Sequence, residues 1–194
     1  MWLMVRREGF GFVVVRITRQ DYTPERGALR HELAHLLCLL SEPSAQDRFL
    51  DPFCGSGAIS IERGKFFPFA EVWATDVDAN LIGTLKTKAQ KVKSPLKVAR
   101  HDALQLPASW NDYFDKIVTD PPWGIYASKV TNSALLVSEL CRVTKKNGII
   151  VLLLSRRHPL DGVLNSQTSN VQLLEKHDVL VSGQKATAFK LKRL

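Results

Sequence analysis

The 194-residue sequence lacks any apolar run long enough to cross a membrane. Its longest apolar stretches, such as residues 148–154, fall well short of the roughly 18 to 20 residues that a membrane span requires. The N-terminus also lacks the features of a secretory signal, because a short apolar stretch runs directly into Arg6, Arg7 and Glu8 without a small-residue cleavage site. We therefore predict a cytoplasmic protein with no membrane partner.

Cysteines are few, and Cys38, Cys54 and Cys141 form no Cys-x-x-Cys pair. This usage is typical of a reducing compartment, so we expect free thiols. Internal repeats, low-complexity segments and linkers are absent as well. A chain of this length can bury a core without disulfides or a structural metal. We predict a single domain over residues 1–194, with an N-terminal β extension over 1–24 and a catalytic core over 25–194.

Acidic residues are outnumbered, since 27 Lys and Arg face 19 Asp and Glu and leave a formal charge of +8. A basic surface gains affinity for phosphates by releasing condensed counterions, so the charge favours a nucleic acid as partner. Charge alone does not decide this, because many basic proteins bind no polyanion.

Short β-branched runs alternate with helical stretches, which is typical of βαβ units and a mainly parallel sheet. Strands are predicted at 48–53, 71–76, 96–101, 116–120 and 148–155, with helices at 57–66, 79–92 and 127–145. A strand-like run at 10–18 and a helix at 25–41 come before them. Two last strands, at 171–181 and 185–191, flank a tight turn and predict an antiparallel hairpin at the sheet edge.

A glycine-rich turn, Asp51-Pro52-Phe53-Cys54-Gly55-Ser56-Gly57, follows the first core strand, where doubly wound sheets bind ligands. Gly55 and Gly57 allow the backbone to approach a ligand closely. Ser60 stands where a dinucleotide-binding fingerprint would have its third glycine, so the turn does not match that motif. The Asp51 carboxylate would repel a pyrophosphate, but it would attract an ammonium and a sulfonium. S-adenosylmethionine carries both cations, so we predict it as the cofactor. The candidate contacts in the turn are Asp51, Phe53, Gly55, Ser56 and Gly57.

Two more acids end later strands. Asp76 stands where a carboxylate can accept both hydroxyls of a ribose, and Asp102 closes the next strand, where it could accept from an adenine amino group. Each acid alone has a simpler interpretation as a turn former or a helix N-cap. Three acids in this order after a Gly-x-Gly turn favour a nucleoside-containing cofactor.

The most specific segment is Asp120-Pro121-Pro122-Trp123, at the end of an apolar strand. The prolines fix φ and remove two N–H donors, which predicts a stiff loop with outward-facing carbonyls beside Asp120. These acceptors can take the hydrogens of an exocyclic amine. Trp123 offers a π face on which an extruded base can stack. The four residues are the predicted catalytic site.

Segments 26–30, 49–57 and 119–124 together resemble a known family. The sequence is similar to class I methyltransferases with an (Asp/Asn)-Pro-Pro-aromatic motif and, more narrowly, to the catalytic domain of the THUMP-associated tRNA guanosine-N2 methyltransferases. The likeness covers nearly the whole chain, including residues 182–186. His31 and Ala58 stand where the family usually has Pro and Thr.

The resemblance implies a Rossmann-like α/β fold, with a seven-stranded mixed sheet of order 3-2-1-4-5-7-6 and helices on both faces. It also implies the role of each site residue: Asp51, Gly55 and Gly57 at the methionine part of the cofactor, Asp76 at the ribose, Val77 at one adenine face, Asp102 and Ala103 at the adenine edge, and Asp120 to Trp123 at the target base.

The implied activity is methylation of an exocyclic base amine in RNA, with guanosine N2 in tRNA as the expected target. We expect a partner chain, or an RNA-docking domain such as THUMP that this sequence does not contain, to dock the tRNA. Arg156 and Arg157 follow a strand and should emerge on the same rim as Asp120, so they are candidate phosphate contacts. The basic stretch from Lys86 to Arg100 is interpreted as a solvated face.

Other activities fit the same residues. The tetrapeptide also serves DNA adenine-N6 and cytosine-N4 methyltransferases, although the short sequence has no room for a domain that reads the major groove. Protein glutamine N-methylation and a non-catalytic binding subunit also stay open. His31-Glu32-Leu33-Ala34-His35 matches the His-Glu-x-x-His pattern of zinc peptidases, but no continuation supplies a third ligand. No metal is predicted.

Overall fold

The computed structural model of the protein describes residues 2–3, 6–7, 10–11, 15–16, 29–92, 94–123, 132–155, 160–164 and 170–194. Four short strands come first: Trp2–Leu3 (β1), Arg6–Arg7 (β2), Phe10–Gly11 (β3) and Val15–Arg16 (β4). β1 pairs with β4, and β2 pairs with β3, both antiparallel. The strand-like run predicted at 10–18 corresponds to β3 and β4.

Seven strands form the main sheet: Arg48–Asp51 (β5), Glu71–Asp76 (β6), Leu96–Arg100 (β7), Phe114–Thr119 (β8), Thr144–Ser155 (β9), Val171–Val181 (β10) and Gln184–Arg193 (β11). Their spatial order is β10-β11-β9-β8-β5-β6-β7. Strands β5 to β9 pair in parallel, and β11 runs antiparallel to both of its neighbours. Counted from β5 as the first strand, this order is 3-2-1-4-5-7-6, so the predicted topology is confirmed.

The helices are His31–Leu40 (α1), Ala58–Phe66 (α2), Ala79–Lys91 (α3), Ser133–Val143 (α4) and Asp161–Leu164 (α5), and Ala108–Trp110 forms a single 3₁₀ turn. Asp78 and Asn132 start α3 and α4, because their side-chain oxygens accept N–H groups of the first turn. No helix among the described residues is long and apolar enough to cross a membrane.

The apolar run at residues 149–154 is buried on both faces of the sheet, as expected for a central strand covered on each side. Ile150, Leu152 and Leu154 pack with α4 on one face. The alternate residues of the run pack with α1 and α2 on the other face. The core thus holds β5, β8 and β9 in fixed register, which places the ends of these strands.

The prediction for the start of β9 was wrong. The helix prediction extended to residue 145, whereas α4 ends at Val143 and β9 starts directly at Thr144. The strand was predicted to start at Gly148, directly after Asn147. They lie inside it, where Asn147 has a φ of +65° and the pairing with β8 shifts register. The dipeptide thus forms an irregularity within one strand.

The terminal hairpin is confirmed, and its turn is of a defined type. Ser182 and Gly183 connect β10 to β11, and both have positive φ, at +49° and +80°. Two successive residues with positive φ are the signature of the type I′ turn, whose twist matches that of antiparallel strands. β11 thereby inserts between β9 and the edge strand β10.

A buried ion pair fixes α2 against the start of the sheet, and sequence reasoning missed it. Arg63 is fully buried, and its Nη2 lies 2.8 Å from Oδ2 of Asp47. Its Nη1 donates to the carbonyl of Pro68. Because α2 begins at the glycine-rich turn, this pair also anchors the helix that follows the candidate cofactor site.

Candidate functional site

Three acids meet at the carboxyl edge of the sheet. β5 ends at Asp51, β6 ends at Asp76, and Asp120 directly follows β8. The spatial order β8-β5-β6 makes these ends neighbours. Burial, followed by the negative charges of Asp76 and Asp120, raises the pKa of Asp51 to about 8. The sheet therefore gathers carboxylates where a cation would be attracted.

Asp51 leaves one oxygen without a hydrogen bond. The residue is 1% exposed, and its Oδ1 accepts a hydrogen bond from Oγ1 of Thr119 at 3.0 Å. Among the described residues, no donor reaches its Oδ2. A buried acceptor without a donor is rare in native proteins, and it fits a site where a ligand supplies the missing hydrogen.

The glycine-rich turn is held by backbone bonds. Gly57 N–H donates to the carbonyl of Cys54 at 2.7 Å, and Cys54 N–H donates to the carbonyl of Thr75 at 2.9 Å. Gly55 and Gly57 have φ values of +48° and +85°, a region that side chains disfavour. A Cβ on Gly55 would meet no atom within 4 Å, so this side of the turn is open to a ligand.

Gly57→Ala is expected to destabilise the protein by about 1–3 kcal/mol. A Cβ there would lie 2.3 Å from Cδ1 of the fully buried Leu85, in addition to the strain of the positive φ. Gly83→Ala is the matched control, because Gly83 lies in α3 with nothing within 4 Å of its Cβ. It should stabilise the helix by about 0.5–1 kcal/mol. Urea unfolding measures both changes, and equal midpoints would contradict the expectation.

Asp76 ties the glycine-rich turn to the next loop. Its Oδ2 accepts the N–H of Gly55 at 3.0 Å, and its Oδ1 accepts the N–H of Asp78 at 3.0 Å. Asp78 in turn caps α3 by accepting from Asn80. The carboxylate predicted to bind the ribose is therefore already fixed in orientation by two backbone donors.

Two basic side chains of the stretch from Lys86 to Arg100 donate hydrogen bonds to the loops that follow β5 and β6. Sequence reasoning missed both contacts. Nζ of Lys88 donates to the carbonyl of Ser56 at 3.0 Å, and Nε of Arg100 donates to the carbonyl of Val77 at 2.9 Å. Lys88 is half-buried, so the interpretation of this stretch as a solvated face is wrong for that residue, whereas Arg100 is exposed and fits it. Lys88 lies three residues after the buried Leu85 in α3, but the residue types alone do not show which part of the fold this side of the helix meets.

The candidate adenine contacts lie along the ends of β6 and β7. Val77 is 57% exposed, and Ala103 is buried. Oδ1 of Asp102 accepts the N–H of Leu104 at 2.9 Å, so Asp102 forms the local turn that was weighed as its simpler interpretation. Oδ2 is left as the acceptor that an amino group could use.

In the Asp-Pro-Pro-Trp segment, the first and last side chains are joined by a hydrogen bond. Nε1 of Trp123 donates to Oδ1 of Asp120 at 2.7 Å, which orients the indole ring and leaves Oδ2 of Asp120 available. Burial raises the pKa of Asp120 to about 7, and the indole hydrogen bond opposes part of that rise. Pro121 is buried and Pro122 is exposed. The segment thus carries an acceptor whose protonation changes near neutral pH.

The predicted phosphate contacts and the His-Glu-x-x-His residues are not part of the group of acids described above. Arg156 and Arg157 lie outside the described residues. The His-Glu-x-x-His pair is placed on α1, where Nδ1 of His35 lies 2.8 Å from Oε1 of Glu62. Within the described part of the chain, no group of three potential ligands could hold a metal ion. His35 and Glu62 thus link α1 to α2.

The three cysteines are free, as predicted, and the structure shows that all three are buried. Burial raises the pKa of the Cys141 thiol to about 11 and raises the pKa of Cys38 and Cys54 further. A thiol with a raised pKa stays protonated at neutral pH and is a poor nucleophile. Cys54 therefore takes part in the turn through its backbone.

A sheet of this order, with a Gly-x-Gly turn after its first strand and Asp-Pro-Pro-Trp after its fourth, defines a class I methyltransferase fold. The chain belongs to the family UPF0020, the RMKL-like methyltransferase domain, whose model matches residues 18–186. The fold class and the family resemblance predicted from the sequence are both confirmed.

Relatives of known name are RNA methyltransferases. The chain is 39% identical over 103 residues to the tRNA (guanine(10)-N2)-dimethyltransferase of Methanothermobacter thermautotrophicus, covering 53% of this chain and 30% of that protein. It is 35% identical over 147 residues to the probable tRNA (guanine(10)-N2)-dimethyltransferase of Methanothermococcus thermolithotrophicus. This alignment covers 67% of this chain and 83% of that protein. It is 29% identical over 168 residues to the U6 snRNA (guanine-N(2))-methyltransferase THUMPD2 of Bos taurus. This alignment covers 81% of this chain and 33% of that protein.

Solved structures share the fold. TrmN from Thermus thermophilus superposes with a TM-score of 0.76 at 27% identity, covering 87% of this chain and 50% of that chain. A geranyl diphosphate methyltransferase in complex with SAM superposes with a TM-score of 0.70 at 12% identity, and the superposition covers 84% of this chain and 85% of that chain. At this identity the likeness supports the fold alone. The chain spans about a third of the first relative and half of TrmN.

Proposed function

We propose that this domain transfers a methyl group from S-adenosylmethionine to the exocyclic N2 amine of guanosine in RNA, with tRNA as the favoured substrate. One observation carries the proposal. Thr119 hydrogen bonds to Asp51 and directly precedes Asp120, so the candidate cofactor acid and the candidate base acceptor lie side by side on adjacent strands.

The residues present fit the cofactor. The free Oδ2 of Asp51 suits an ammonium group, and the open side of Gly55 allows close approach of the methionine part. Asp76, oriented by two backbone N–H groups, would accept from the ribose hydroxyls. Phe53, Ser56, Gly57, Val77, Asp102 and Ala103 complete the proposed contacts. When bound, S-adenosylmethionine supplies an electrophilic methyl group on its sulfonium.

The chain's own contribution to the reaction is mainly positioning. The exocyclic amine of guanine is a weak nucleophile, because its lone pair is delocalised into the ring. Oδ2 of Asp120 and the carbonyl of Pro121 would accept its hydrogens and aim the lone pair at the methyl group. The Asp120 carboxylate would take up the proton as charge develops. The pKa of about 7 suits Asp120 to that proton transfer. Trp123 and Pro122 would border the base, which must lie outside its stack.

RNA as the partner is supported by the charge of +8 and by the names of the relatives. Contact of Arg156 and Arg157 with phosphates stays a prediction. The same holds for the single domain over residues 1–194, the cytoplasmic location, and tRNA docking by a partner chain or a domain such as THUMP.

The test combines binding with product analysis. Calorimetry should give a micromolar Kd for S-adenosylmethionine. The chain is then incubated with tritiated cofactor and two unmodified transcripts, a tRNA and U6 snRNA, and the labelled nucleosides are identified after digestion. We expect N2-methylguanosine in the tRNA. Label in N6-methyladenosine, or binding of the cofactor with no transfer to either RNA even at RNA concentrations high enough to replace tRNA docking, would contradict the proposal. Label confined to U6 snRNA would overturn the choice of tRNA.

Lys88→Met is expected to weaken binding of S-adenosylmethionine about tenfold, because the Ser56 carbonyl loses a charged donor that fixes the turn. Lys86→Met is the matched control. Lys86 is exposed on the same helix and makes none of the hydrogen bonds or ion pairs found among the described residues. Calorimetric titration checks both variants. Equal affinities would show that Lys88 does not support the turn.

A further inference from the structure

The hydroxyl of Thr119 lies between the two motifs of the proposed site. Thr119 is the last residue of β8 and is fully buried. Its Oγ1 donates to Oδ1 of Asp51 at 3.0 Å and accepts the backbone N–H of Phe53 at 3.2 Å. One hydroxyl thus joins the end of β8 to the turn that follows β5.

The direction of both hydrogen bonds is fixed by chemistry. A backbone N–H can only donate, so the Thr119 oxygen must accept from Phe53. The hydroxyl has a single hydrogen, which is therefore directed to Oδ1 of Asp51. With one hydrogen bond already accepted at Oδ1, Oδ2 is the oxygen that is fully open to a ligand donor, because no donor among the described residues reaches it.

We propose that Thr119 is a positioning residue that selects Oδ2 of Asp51 as the acceptor for the ammonium group of S-adenosylmethionine. The inference rests on the proposed function and extends it to a residue that touches neither the cofactor nor the base. Thr119 acts through Asp51, while its neighbour Asp120 serves the base.

The charged surroundings of Asp51 are the reason why its carboxylate needs a positioning residue. The charges of Asp76 and Asp120 oppose its ionisation, and the Thr119 hydrogen bond is the largest of the influences that favour it. Without the hydroxyl, Asp51 would depend on the weaker influence of the Phe53 N–H, and the carboxyl could rotate away from the position that a ligand needs.

The test uses two ligands that share adenine and ribose. S-adenosylmethionine carries the ammonium group, whereas 5′-methylthioadenosine lacks the whole amino acid part. Thr119→Val, which has nearly the same shape, should weaken the former about tenfold and the latter less than twofold. Thr119→Ser keeps the hydroxyl and should bind both ligands within about twofold of the parent protein. Circular dichroism confirms that each variant is folded.

Other outcomes separate the failures. If Thr119→Val weakens both ligands equally, the residue supports the fold in general and the inference is wrong. Equal affinity of Thr119→Val and the parent for S-adenosylmethionine also overturns it. If the parent protein binds neither ligand, the proposed function itself fails.

A double-mutant cycle with Asp51→Asn gives an independent check. In that background, Thr119→Val should cause less than a twofold further loss, because the residue acts through Asp51. An undiminished tenfold loss there would overturn the inference. Thr119→Ala removes the same hydroxyl and takes the place of Thr119→Val in both tests if the valine variant does not fold.

Discussion

Asp120→Ala is expected to lower the rate of methyl transfer about a thousandfold while leaving the affinity for S-adenosylmethionine within about threefold. The variant removes the acceptor that would hold the amine and take its proton. The hydrogen bonds that Asp51 accepts from Thr119 and Asp76 accepts from Gly55 do not involve Asp120. Single-turnover transfer to RNA and calorimetry measure the two quantities. A loss of cofactor affinity as large as the loss of rate would assign Asp120 to cofactor binding instead.

Asp120→Asn is the sharper control, because its amide oxygen can still accept a hydrogen bond. We expect it to keep more activity than Asp120→Ala. In the parent protein at saturating cofactor, the rate should rise with pH through about 7, because the ionised Asp120 is the form that accepts. This rise should be missing in Asp120→Asn, and its persistence would show that another group titrates.

Asp76→Ala is expected to do the reverse, weakening S-adenosylmethionine about a hundredfold while changing the rate at saturating cofactor little. The side chain would lose its contacts with the ribose, and the N–H groups of Gly55 and Asp78 would lose their acceptor. Titration calorimetry gives the affinity. Tight binding by a folded Asp76→Ala would remove the ribose assignment.

Asp78→Ala controls for the effect of Asp76 on the fold. Asp78 is exposed and caps α3, so its loss should cost about 1 kcal/mol of stability. Its side chain is not among the proposed ribose contacts, so cofactor affinity should change less than threefold. If both variants weaken binding equally, the order of the loop accounts for the effect and a ribose contact is unnecessary.

The sheet could be predicted because its elements carry local signals. Alternating apolar runs marked the strands, and their ends in acids or glycines marked the functional edge. The start of β9 could not be predicted in this way. Asn147 and Gly148 are typical of a turn, but pairing with β8 on the same sheet keeps them inside a strand. Tertiary pairing overrode the local preference there.

The site divides along the same line. The placement of Asp51, Asp76 and Asp120 at one edge of the sheet could be predicted, because each lies at the end of a strand whose neighbours follow from the topology. Thr119 and Lys88 could not, since their partners lie 66 to 68 and 32 residues away in the chain. Such contacts depend on the register between strands and on which face of α3 turns inward, and neither leaves a mark in the residue types alone.

The three neighbouring carboxyls have a consequence for turnover. The pKa values of Asp51 and Asp120 are raised on folding, so both groups stabilise the fold below about pH 4, and this contribution is lost as pH rises through about 7 to 8. The cationic cofactor of the proposed reaction would therefore supply a counter-charge at this edge. Transfer of the methyl group leaves a neutral thioether, and the attraction weakens at that moment. In the proposed reaction, the acids that attract the charged cofactor would thus also favour release of the spent one.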